Sequence, residues 1–190
     1  MRVAANRMLR IVVPLLMSAL VGNPIWAETG DPQISIVGGG TLSVAGTAEF
    51  PPYGHDGRWT EGTRRSSAQH VIRHFLFMGS GGPPALELYI ARNLQDDPPD
   101  GAFEIGLVGG FLRGFADQAG FAYARPVWSD TAIGGIPAKR CQVPLKKNDR
   151  TIWLYAYILP RRPSLTVLTV RPHPDEAAAI ESYLGQVRFY

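Results

Sequence analysis

The chain carries one cysteine, Cys141, in 190 residues. A lone thiol cannot close an internal disulfide, so the fold must rest on a packed core. Histidine is scarce too, at four residues (His55, His70, His74 and His173), and no acidic residue stands at HExxH spacing with them. That excludes the helical zinc-protease arrangement. No basic stripe and no aromatic-interleaved basic platform is present, and the small pairs Arg64–Arg65, Lys146–Lys147 and Arg161–Arg162 read as solvated faces or turn flanks. Nucleic acid is therefore not an expected partner. The longest apolar run, IVVPLLMSALVG at residues 11–22, is about a dozen residues and too short to span a bilayer.

That run has the form of an export signal. Arg2, Arg7 and Arg10 precede it, Pro24 breaks it, and Ile25 and Ala27 stand at the −3 and −1 positions of a cleavage site before Glu28. Residues 1–27 are thus expected to be a signal peptide, leaving 28–190 as one domain in the periplasm or secreted. No cysteine sits near the junction for a lipid anchor, and no stable membrane insertion is expected after cleavage. The charge follows the leader. The chain has 19 basic and 16 acidic residues, and without the leader's three arginines it has 16 of each. The basicity of the whole chain is a property of its address, not of a binding surface.

Along 28–190 the pattern alternates between strand signals and breakers. ISIVGGGTLSVAG (34–46) predicts two short strands around Gly38–Gly40. Residues 49–65, dense in Pro, Gly and charge, predict a long loop. HVIRHFLFMG (70–79) and ALELYIAR (85–92) predict strands, the second half-buried with Leu86, Leu88 and Ile90 inward and Glu87 and Tyr89 outward. In residues 102–120 the period changes to helical, with Leu107, Val108, Phe111, Leu112 and Phe115 on one side. Gly106, Gly110 and Gly114 recur at four-residue intervals there, a ridge that lets the helix approach the sheet or a partner closely. Strands follow around 122–128, 138–143, 151–159 and 164–172, the last two apolar on both faces and hence central. Residues 173–190 predict a terminal helix with Asp175 and Glu176 in its first turn. The order of elements gives an α+β class, an antiparallel sheet with packed helices.

Candidate chemistry is sparse. Cys141, between Lys139–Arg140 and Gln142, could be a low-pKa thiolate served by a histidine. Strand alternation instead sets it on one face with Lys139 and Val143, the fate of a buried small hydrophobe. His70 and His74 share a strand face and offer two metal ligands, a poor site by themselves, with a metal carrier built on them as a lesser alternative. Trp153, Tyr155 and Tyr157 form a stripe that reads as core under the terminal helix rather than as a stacking platform. Tyr53, His55, Asp56, Arg58, Trp59 and Glu61 mix polar and aromatic groups on the expected loop, and form the preferred recognition patch.

GGIPAKRCQVPL, IWLYAYIL, LTVLTV and the closing AAAIESYLGQVRF together resemble the second half of PsbP-like domains, over about residues 103–190. The resemblance implies an α/β/α sandwich and an accessory or binding role without catalysis. The expectation is an exported, non-enzymatic binding protein with no cofactor, acting on an envelope protein or a small ligand. The alternative is a thiol-dependent hydrolase, transferase or redox protein using Cys141.

Overall fold

A computed structural model describes residues 33–54, 56–66, 70–79, 84–93, 101–160 and 163–190. The expected signal peptide, His55, the Arg161–Arg162 pair and the side chain of His70 lie outside the described residues. Twelve strands and two helices are described. In chain order they are β1 (Ile34–Val37), β2 (Thr41–Val44), β3 (Ala48–Phe50), β4 (Arg58–Ser66), β5 (His70–Met78), β6 (Pro84–Asn93) and α1 (Ala102–Ala119). There follow β7 (Ala122–Tyr123), β8 (Trp128–Ile133), β9 (Ile136–Lys147), β10 (Arg150–Leu159), β11 (Ser164–Arg171), α2 (Ala177–Leu184) and β12 (Arg188–Phe189).

Eight strands form one sheet in the order β4-β5-β6-β11-β10-β9, with β7 and β8 both pairing along the outer side of β9. A second sheet runs β1-β2-β3-β12. Every pairing is antiparallel, so the α+β class and the antiparallel sheet hold. The two strands expected to be central, β10 and β11, are central and covered on both faces.

The cover differs from face to face. α1 sets Val108, Leu112, Phe115 and Ala116 against Cys141, Val143, Leu145, Ile152, Leu154, Ala156, Ile158 and Leu168 of the large sheet. At about 1.5–3 kcal/mol for each large apolar side chain buried, this seam is the main force holding the helix. Gly120 ends α1 in the left-handed conformation that glycine adopts without a Cβ clash, its N–H bonding the carbonyl of Ala116. Lys147 adds its Nζ to the Ala119 carbonyl at 2.6 Å, a cation at the negative end of the helix. The other face of the large sheet carries Phe75, Phe77, Leu86, Leu88, Tyr155, Tyr157 and Val167. They pack under the small sheet (Leu42, Val44, Phe50) and α2 (Ile180, Tyr183, Leu184).

Three expectations are corrected. The loop of 49–65 is cut short: β3 takes its start and β4 runs from Arg58, because strand pairing with β5 overrides the local Gly and charge content. At Gly106 and Gly110 the glycine ridge of α1 does not meet the sheet, for a Cβ there has no neighbour within 4 Å among the described residues. The terminal helix is shorter than expected. After a 3-10 turn at Pro174–Glu176 it spans only Ala177–Leu184, and the chain then extends into β12 against β3.

Candidate functional site

The structure divides the expected recognition patch. Trp59, on β4, is 3% exposed, stands edge-on to Phe50 and Phe77 and donates its Nε1 hydrogen to the Pro51 carbonyl. It belongs to the core, which corrects its placement on a binding surface: β4 alternates, and Trp59 is its inward residue. Tyr53 is half-buried, edge-on to Tyr183 at 5.0 Å and beneath the Arg171 guanidinium at 5.4 Å. Asp56, Arg58 and Glu61 are exposed. Glu61 receives both Nε and Nη2 of Arg73 at 2.9 Å, a bidentate pair across β4 and β5. What remains of the patch is a charged margin along the outer strand of the large sheet, whose one described neighbour is β5.

Cys141 is 1% exposed within the seam beneath α1, and burial pushes its thiol up to about 11. Lys139 lies on the same face of β9 but pairs with Asp130 at 3.1 Å. Arg140 points the other way, to Glu181 of α2 at 3.0 Å. The strand order places β5, which carries His74, four strands from β9, or about 19 Å at the usual spacing. A thiolate attack aided by His74 is excluded by that distance.

Of the histidine pair, only the side chain of His74 is described. His74 is 5% exposed and sits directly across from Tyr89 of β6, the two rings stacked at 4.2 Å and 8°. Its Nε2 lies 3.0 Å from Glu87 Oε2, and Tyr89 Oη donates to that same oxygen at 2.9 Å. An ionised Glu87 only accepts, and the contact then requires the imidazole form with its hydrogen on Nε2. Desolvation first, and then the Glu87 charge, push the Tyr89 phenol well above its ordinary value; Arg65 acts the other way. Gly62 makes room for the imidazole, since a Cβ there would lie 3.0 Å from His74 Nδ1. Among the described residues no group of three or more His, Cys, Asp or Glu converges as it would for a metal ion. Sequence reasoning missed this cluster because Glu87 and Tyr89 alternate with Leu86 and Leu88 as an outward face does. A buried-strand reading of β6 would have been the one available signal.

The aromatic stripe of β10 is core, as expected. Tyr155 and Tyr157 are buried, with their hydroxyls donating to the Pro174 carbonyl at 2.6 Å and to Glu181 Oε1 at 3.0 Å. They anchor the approach to α2 and α2 itself.

No known protein family and no curated protein matches this chain. Among solved structures it is similar to a protein of unknown function, PA94 from Pseudomonas aeruginosa, at 15% identity and a TM-score of 0.35. That match covers 73% of this chain and 87% of the other. A likeness of this size carries no argument about fold or function.

Proposed function

We propose that the protein is an exported, non-enzymatic binding or accessory module of the PsbP-like sort, acting in the periplasm or outside the cell on an envelope protein or a small ligand. The observation that carries this reading is the outer edge of β4. Its backbone groups on that side face no described strand, and Asp56, Arg58 and Glu61 border it. Such an edge can add an extended segment of a partner through main-chain hydrogen bonds, with the bordering charges choosing among partners. The sealed Cys141 supports a structural role for the thiol rather than a catalytic one. No described helix is long and apolar enough to cross a membrane. The PsbP-like relationship of residues 103–190 is supported by their order: a long hairpin of β10 and β11, then a final helix carrying Ser182.

A photo-crosslinking amino acid at Arg58 tests the reading. In an envelope extract it is expected to give an adduct that unlabelled protein suppresses, and Glu61→Lys is expected to weaken capture about tenfold. The same group placed at exposed Lys146, on β9, should give none. Equal capture at both positions, or none at either, would sink the β4 surface.

A further inference from the structure

We propose that β1 is a contact between two copies of this chain, which pair antiparallel about Ser35 and extend the small sheet across a two-fold axis. β1 is the outermost strand of its sheet and pairs only with β2 among the described residues. Its register sets Ile34 opposite Val44 and Ile36 opposite Leu42, so both isoleucines point to the side on which Leu42 and Val44 are fully buried. Facing residues of an antiparallel ladder lie on one side of the sheet. Ile36 is nonetheless 50% exposed, because no described strand lies beyond β1 to cover its outer flank. Val37, on the opposite face, is 46% exposed.

Edge strands of soluble proteins are ordinarily guarded by charge, proline or a bulge. The other long edge is charged: β4 carries Arg58, Glu61, Arg64 and Arg65 and a bulge between Glu61 and Arg64, which turn away a strand that does not match those charges and leave the edge to a complementary partner. β8 carries Asp130 and β12 carries Arg188. Residues 33–48, which contain β1 and β2, hold no charged side chain at all. This matters for a second copy in particular, since a charge near a two-fold axis meets its own like. The sequence Ile34-Ser35-Ile36 reads the same in both directions. Antiparallel pairing about Ser35 therefore puts each isoleucine opposite an isoleucine on the core-facing side, and Ser35 opposite Ser35 on the other. The occupant is thus a strand of the same composition, and the four residues of β1 make the association weak and concentration-dependent.

Sedimentation velocity on the purified protein, from about 5 to about 500 µM, spans the affinity such a small interface would have. The wild type is expected to pass from monomer to dimer over this range. Ile36→Lys should remain monomeric, while Val127→Lys, at an apolar residue 75% exposed elsewhere, should dimerise as the wild type does. Should Ile36→Lys fail to fold, a second variant decides. Facing Cα atoms of an antiparallel ladder are about 4.5–5.5 Å apart, within disulfide reach, so Ser35→Cys should give a crosslinked dimer under mild oxidation. Ser43→Cys, on the neighbouring β2, should not. A wild type that stays monomeric at the top concentration overturns the proposal whatever the cysteine variants do. So does an Ile36→Lys dimer as tight as the wild type. A monomer whose β1 amides are already protected from exchange would mean that residues before β1 cover the edge, and overturns it equally.

Discussion

Glu87 concentrates the polar chemistry of the large sheet on one oxygen, which accepts from both His74 and Tyr89. Its removal leaves two buried donors without a partner, and such groups cost more than the bond they formed. Glu87→Ala is expected to lower stability by about 2–4 kcal/mol. Glu87→Gln, which keeps one acceptor, should lose less. Urea unfolding of the three proteins checks the order, and a loss below about 0.5 kcal/mol for the alanine variant would show that the cluster is not an anchor. None of this was legible in the sequence. His74 and Tyr89 are fifteen residues apart, and only the β5–β6 register makes them neighbours. Cys141 was legible, because strand alternation alone separates it from Arg140. Trp59 was not, because its inward direction depends on a strand that the surrounding glycines and charges concealed.

At the scale of the element, β5, β6, β10, β11 and α1 were readable from periodicity and β-branched content, which report burial directly. β4 and the end of the chain were not. β4 is an edge strand whose outward residues are polar by necessity, so it looks like loop until its partner is known. The segment after α2 becomes a strand only because β3 offers it an edge. α1 yields a prediction of its own. Gly106 and Gly110 lie on a side of α1 where an added methyl group meets no described residue, and glycine costs a helix interior about 0.8–1 kcal/mol relative to alanine. Gly106→Ala and Gly110→Ala are each expected to stabilise the protein by about 0.5–1 kcal/mol, read as a raised urea midpoint at unchanged slope. Destabilisation by either would show that this side of α1 is covered in solution.

For the molecule as a whole, the buried phenols and the thiol set a limit on the alkaline side. Desolvation is the first cause that raises Cys141, Tyr89, Tyr155, Tyr157 and Tyr183 above their ordinary values. A group whose folded value is raised contributes its full stability below the unfolded value and loses it as the pH climbs toward the folded one. Cys141 moves from 9.0 to about 11. Its share, on the order of 3 kcal/mol at most, should fade across that window. The tyrosines should begin to add their losses above about pH 10. Urea midpoints measured from pH 8 to 11 are expected to fall, with the earliest part of the fall absent in Cys141→Ala. A flat profile would contradict the burial of these groups. The small sheet has a different kind of consequence. Its first three strands are β1, β2 and β3, yet its fourth is β12, which follows every other described element in the chain. A polypeptide that emerges N-terminus first therefore displays an unfinished sheet, with the edge of β3 bare, until Arg188 and Phe189 have been released. Foldases and proteases that meet the nascent chain see that bare edge until β12 is delivered, and it is β12 that withdraws it from them.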